Sequence, residues 1–227
     1  MERIGKNWRD LQARIETAAA RHGRAADGIG VIAVTKTRSV EDVRAVLACG
    51  LKALGENRVQ EAEAKIDALR PAGAWHLIGR LQTNKAGKAA ALFDVIQSLD
   101  SLRLARALER RAAEAGRSLG VFIQVNTSGA AQQGGIDPDG AGELLEALEG
   151  MPHLSAQGLM TIGPNGGDET QVRACFAGLR LLSERLDPRG ESLAHLSMGM
   201  SGDFEWAIAE GATLLRLGTA LFGPRPQ

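Results

Sequence analysis

Val31-Ile32-Ala33-Val34-Thr35-Lys36 is the stretch on which the fold turns: four apolar residues in a row, a threonine, and then a lysine. An apolar run this short, rich in β-branched residues, fits a strand buried on both faces, as parallel strands are when helices cover them. The next segment, 39–49, is helical in pattern, with Ser39 ahead of Val-Glu-Asp as a capped start and Gly50 as a stop. The same unit recurs along the chain. Strand-type runs lie at 31–34, 53–55, 75–78, 95–97, 121–125, 156–160, 195–198 and 213–217. Helix-type patterns fall between them, at 39–49, 59–69, 84–92, 101–115, 139–148, 169–186 and 202–210, with Asp100-Ser101 as a further start signal and Gly116 and Gly211 as further stops. An amphipathic helix carrying Ile4, Trp8, Leu11, Ile15 and Ala18 at steps of three and four precedes the first strand. Strict alternation predicts a parallel sheet with crossover helices, and eight repeats predict closure into a (β/α)8 TIM barrel with an extra N-terminal helix. Such barrels usually take about 250 residues. The 227 residues of this chain therefore imply a compact version with short loops, as one domain over 1–227. A doubly wound open sheet is the alternative.

Composition narrows the function. Hydrophobic residues make up 44% and charged residues 24%, which suits a globular protein. Lys plus Arg equals Asp plus Glu at 27 each, so no net field draws the chain to nucleic acid or to an anionic membrane. A small-molecule ligand is the expectation. No secretory signal and no apolar stretch of spanning length is present, which places the protein in the cytoplasm by default. Cys49 and Cys175 read as reduced core thiols, and the four histidines lack metal-ligand spacing. Arg80, Lys85 and Lys88 read as a solvated helix face.

In a β/α barrel, reactive residues sit at the C-terminal ends of the strands. Lys36 ends the first strand and should point inward at the rim, where partial desolvation frees an amine to condense with an aldehyde. Taken alone, such a lysine reads first as a solvated strand cap. The glycine- and serine-rich segment from Ser197 through Met198, Ser201 and Gly202 leads into a helix near Asp203, and Gly218-Thr219 follow the eighth strand. Loops after strands seven and eight are the recurring phosphate site of this fold. Each loop alone could be an ordinary cap, and Asp203 would compete with a phosphate unless it points away. Arg216 shares a strand face with Gly218, and a guanidinium beside a heteroaromatic nitrogen can only donate to it. A buried ion pair, with Glu56 for example, is the structural alternative for Arg216. An aldehyde trap, a phosphate cradle and a ring-nitrogen donor together describe pyridoxal 5'-phosphate (PLP).

The residues also resemble a known family. Ala33-Val34-Thr35-Lys36-Thr37, Gly55-Glu56-Asn57, Trp75 to Lys85, Gln124-Val125-Asn126, Gly158-Leu159-Met160, Leu196 to Ser201 and Arg216 to Gly223 are similar, in order, to segments of the YggS/PROSC family of PLP homeostasis proteins, related to the N-terminal barrel domain of alanine racemase. The resemblance implies a fold-type III PLP-binding barrel, with Lys36 as the imine lysine and Arg216 beside the pyridine nitrogen. It further implies Ser201, Gly218 and Thr219 at the phosphate and Asn57 near the ring, with Met198 and Gly202 in the same segment. His76 either lines the pocket or is a satisfied core histidine. Two positions depart from the family. Arg58 stands where Tyr is usual, and the loop after strand five, from Ala130 to Gly135, lacks the usual Glu and Lys. A lysine role in PLP transfer through that loop is therefore not expected here.

Members of the family are thought to carry or buffer PLP without turnover. The racemase alternative needs a second base, a tyrosine from a second domain; the chain contains no Tyr and ends soon after the eighth strand. A third class, a barrel that binds a phosphorylated sugar or nucleotide and uses Lys36 only as a charge, stays open on the residues alone. The expectation is a non-catalytic PLP carrier, a monomer, with apo PLP-dependent enzymes as its partners and neither nucleic acid nor membrane among them.

Overall fold

The computed structural model describes residues 2–69, 72–130 and 132–224; Ala131, in the charge-poor loop, lies outside the described residues. After α1 (Glu2–Arg21) the chain alternates β1 (Gly30–Val34), α2 (Val40–Ala48), β2 (Ala53–Glu56), α3 (Val59–Leu69), β3 (Ala74–Leu77), α4 (Ala86–Leu92), β4 (Val95–Leu99) and α5 (Leu102–Glu114). It continues with β5 (Leu119–Gln124), α6 (Ala141–Glu149), β6 (Leu154–Met160), α7 (Glu169–Leu186), β7 (His195–Ser197), α8 (Phe204–Ala209), β8 (Leu214–Leu217) and α9 (Thr219–Phe222). The strands pair in chain order and β8 returns in parallel to β1, so the sheet is a closed barrel and not an open doubly wound one.

Strand alternation sorts the side chains into two cores. Val31, Ala33, Trp75, Leu77, Val121, Ile123, Leu215 and Leu217 point outward into the large core between sheet and helices. Val95, Phe122 and Met160, with Leu214 and Ile162 against them, form a smaller cluster inside the ring. A packed interior of this kind makes the barrel a platform, so a ligand must sit above it at the strand ends.

Local signals set the element ends. Ser39 Oγ accepts from the Asp42 N–H at 3.1 Å and Ser101 Oγ from the Leu104 N–H at 3.4 Å, capping α2 and α5. α1 buries Ile4, Leu11, Ile15 and Ala18, the stripe that its spacing predicts. Two expectations shift. The helix expected over 202–210 begins at Phe204, because 201–203 form a turn, and Thr219 to Phe222 coil into one helical turn where a loop was expected.

Gly199, between β7 and α8, has φ +92°, and a Cβ there would lie 2.6 Å from the Ala207 Cβ. Gly199→Ala should therefore cost about 2 kcal/mol, from left-handed strain plus overpacking. A thermal midpoint several degrees below the parent's would show it; an unchanged midpoint would mean that the turn and α8 yield freely.

Candidate functional site

At the C-terminal rim of the barrel, Lys36, Asn57, Ser201, Gly202, Arg216, Gly218 and Thr219 surround a cavity of about 320 Å³, together with Val34, Ile78, Ile162 and Met200. The volume lies at the small end of the range for ligand pockets. Three walls are distinguishable: Lys36 just after β1, Arg216 from β8, and the two loops after β7 and β8.

Lys36 continues the inward phase of Ile32 and Val34, and is half-buried. Thr35 faces the other way and is held firmly. Its hydroxyl donates to Glu56 Oε1 at 2.7 Å, while Lys65 Nζ, reaching in from α3, donates to the Thr35 carbonyl and to Glu56 Oε1, each at 2.7 Å. Glu56 is fully buried and the Lys65 side chain only 11% exposed, so this ion pair fixes the peptide that enters Lys36 from behind the strand. The next residue, Thr37, has φ +63°, which makes it the one non-glycine with positive φ among the described residues. A β-branched residue is costly there, and the strain turns the chain sharply away immediately after the lysine.

Arg216 is 4% exposed and has no carboxylate within hydrogen-bonding reach among the described residues. Glu56, the partner its sequence position suggested as an alternative, is taken by Lys65. Instead, Arg216 Nη1 donates to Ser197 Oγ and Nη2 to the Thr161 carbonyl, both at 2.7 Å. Burial lowers its pKa to about 10, with the charge of Asp203 opposing the fall, so the guanidinium stays charged at neutral pH. A guanidinium has five N–H donors. Two are engaged, and the side chain lines the cavity.

In the loops, Ser201 Oγ accepts from the Gly218 N–H at 3.3 Å and the Ala220 N–H at 3.1 Å, so two backbone donors converge on one hydroxyl at the cavity edge. The space that a Cβ would fill at Gly202 holds no protein atom within 4 Å. Asp203 does not compete for the cavity, because its Oδ1 turns back to accept from the Met200 N–H. Burial pushes the Asp203 carboxyl up.

Two expected site residues lie elsewhere. Met198 is fully buried and packs in the outer core, since Ser197 points inward and the next residue must point out. His76 does not line the cavity; it sits inside the barrel, where its Nδ1 accepts from Gln97 Nε2 at 3.1 Å. Burial lowers its pKa to about 4, so it is a neutral core histidine. The apolar lining by Val34, Ile78, Ile162 and Met200 was not anticipated, although strand phase could have found Val34 and Ile78, two residues from Lys36 and His76. Arg58 makes only an exposed pair with Glu61, at 3.1 Å, and Lys88 pairs with Glu63, at 2.6 Å. A larger depression of about 700 Å³ near Arg80, Asn84 and Arg103 gathers no buried polar group, so volume alone does not mark the site. Among the described residues no His, Cys, Asp and Glu groups cluster as metal ligands, the two cysteines are unbonded, and no helix is long and apolar enough to cross a membrane.

The model of the alanine racemase N-terminal domain matches residues 1–226. The chain belongs to that family. Within the family it is 42% identical, over 214 residues covering 93% of this chain and 94% of the relative, to the pyridoxal phosphate homeostasis protein of Aquifex aeolicus. PipY of Synechococcus elongatus PCC7942, solved with PLP bound, superposes with a TM-score of 0.81 at 40% identity, over 92% of this chain and 100% of PipY. The alanine racemase of Clostridium difficile 630 shares the fold, with a TM-score of 0.79 at 15% identity, over all of this chain and 58% of that enzyme. The racemase-family barrel expected from the sequence is therefore the fold of this chain, and the cavity at its rim joins Lys36, buried Arg216 and the loop that carries the paired Gly218 and Ala220 donors.

Proposed function

We infer that this family member binds PLP and serves PLP homeostasis, with Lys36 as a reversible tether. The observation that carries the reading is Arg216: a buried guanidinium, with two of its five donors engaged, that lines a cavity shared with Lys36. A buried cationic wall with donors to spare favours a ligand that brings an acceptor to that point. The cavity residues fit PLP on these grounds. Bound there, PLP supplies an aldehyde that condenses with the Lys36 amine, releasing one water. Arg216 would donate to the ring nitrogen and, holding its own proton at neutral pH, would keep it unprotonated. Ser201, Thr219 and the Gly218 and Ala220 amides, which donate to Ser201 Oγ in this structure, would hold the phosphate, Gly202 would leave it room, and Asn57 and Ile78 would border the ring.

Carriage without turnover is argued from the same residues. An unprotonated ring nitrogen makes the cofactor a poor electron sink, and the chain has no tyrosine to act as a base opposite Lys36. We assign the protein to a single barrel domain that works as a monomer in the cytoplasm and delivers PLP to apo-enzymes. The likeness to a relative named for PLP homeostasis and to PLP-bound PipY supports this reading.

Borohydride treatment of the protein reconstituted with PLP should fix the cofactor's mass on the peptide containing Lys36. Label on another lysine, or none, would overturn the assignment. PLP should pass from the loaded protein to an apo-enzyme faster than it escapes into buffer. Conversion of L-alanine to its D-form faster than free PLP achieves would replace the carrier with an enzyme.

A further inference from the structure

We propose that Ser197 and Gln97 are positioning residues: a one-way chain of hydrogen bonds running through them, from Arg216 to His76, sets the direction in which Arg216 presents its remaining N–H groups to the ring nitrogen of a bound ligand. The proposal rests on the reading of Arg216 given above.

The chain crosses the inside of the barrel from β8 to β7, β4 and β3. Arg216 Nη1 donates to Ser197 Oγ at 2.7 Å, Ser197 Oγ donates to Gln97 Oε1 at 2.7 Å, and Gln97 Nε2 donates to His76 Nδ1 at 3.1 Å. Arginine only donates, so the first link is fixed in sense and obliges the hydroxyl to accept. The hydroxyl proton then needs an acceptor, and the amide oxygen of Gln97 is the one in reach. That leaves the amide nitrogen for His76, which as a neutral imidazole can accept.

The opposite order is worse. Turning the Gln97 amide over would bring its NH2 against a hydroxyl that already accepts from Arg216. The Ser197 proton would then have no partner at a residue with no exposure at all. A buried donor left unmet is costly, so the sequence of donors and acceptors is uniquely determined from Arg216 onward.

A second bond pins the other end of the guanidinium, from Nη2 to the Thr161 carbonyl just beyond β6, at 2.7 Å. Two anchors, one on β7 and one just beyond β6, fix the guanidinium plane of a side chain that lines the cavity. Ser197 and Gln97 are fully buried and do not line that cavity, so whatever they do for a ligand they do through Arg216.

The test compares two ligands on each variant: PLP and its 1-deaza analogue, in which a C–H replaces the ring nitrogen and the aldehyde and phosphate are unchanged. The parent should bind PLP about tenfold more tightly than the analogue, the worth of one hydrogen bond to a charged donor, and Arg216→Met should erase that preference. Ser197→Ala should lower PLP affinity severalfold and leave affinity for the analogue unchanged. Gln97→Met, which cuts the chain one link further out, should act in the same direction, and Ser197→Thr, which keeps the hydroxyl, should retain the preference. Because both ligands are read on the same preparation, a general loss of stability cancels. If Ser197→Ala and Gln97→Met weaken both ligands equally, or keep the full preference while Arg216→Met loses it, the chain does not position Arg216 and the proposal falls, with the reading of Arg216 intact. If Arg216→Met itself keeps the preference, the ring-nitrogen reading fails and the proposal falls with it.

Discussion

Lys36→Ala should abolish the visible absorbance that the parent gains on adding PLP and lower PLP affinity about 100-fold, or about 2.8 kcal/mol, while changing folding stability by less than about 1 kcal/mol. The asymmetry comes from where the residue sits. Lys36 is half-buried on the rim, above the apolar layer of Val95, Phe122 and Met160, so truncating it opens no void in the packed interior. The remaining hydrogen bonds to phosphate and ring should still hold some PLP, unbonded. Lys36→Arg separates the two roles a cation could have here. It keeps the charge but cannot condense with an aldehyde, so it should bind PLP more weakly than the parent and stay colourless. A yellow Lys36→Ala would place the imine on another amine, and a Lys36→Arg with parental affinity would mean that the lysine acts only as a charge, as in a barrel for phosphorylated sugars.

The largest loss of stability should come from a residue outside the cavity. Among the described residues, Lys65→Met leaves the Glu56 carboxylate fully buried with only the Thr35 hydroxyl against it, while Glu56 Oε2 already has no partner there. Removing one half of a buried pair typically costs about 3–5 kcal/mol, whereas replacing both halves by apolar residues costs little. Denaturant unfolding of Lys65→Met should show the first figure, and Glu56→Met with Lys65→Met should recover most of it. The single variant should also weaken PLP binding, because Lys65 holds the Thr35 carbonyl on which the direction of Lys36 depends. Equal stability of the single and the double variant would mean that the pair is solvated in solution and does not brace β1.

The architecture was legible because its signals are local and repeated. The run that ends at Lys36 is one of eight of its kind, and Ser39 and Ser101 cap the helices they announce. Lys36, Arg216 and Gly218 were legible for a second reason, since the fold says which strand ends carry chemistry and two-residue periodicity says which side chains turn inward. The glycines and serines of 197–202 mask the same periodicity by giving the segment the look of one loop. Counting from inward Ser197 would have sent Met198 outward, where it is. His76 has the right phase but lies one turn of pleat too deep, and depth along a strand depends on barrel stagger, which no single run of sequence encodes. The partner of Glu56 was equally hidden. Lys65 looks like any charge on the helix over 59–69, and only packing shows that its amine reaches past the helix to the strand. The strain at Thr37 leaves no trace in residue type, because threonine is the wrong residue for that backbone.

The pairing of β8 with β1 has a consequence for how the protein acquires its site. Lys36 comes from the first strand, and Arg216, Gly218 and Thr219 come from or follow the last, so the two sides of the cavity are contributed by nearly opposite ends of the chain. Contacts this distant in sequence carry the largest loop-closure entropy and belong to the late part of assembly. A ribosome-bound chain that has emerged only through β7 already displays the amine but has neither the guanidinium nor the amides after β8. Ligand capture is thereby tied to completion of the ring, and by mass action the cofactor rewards only molecules that have closed.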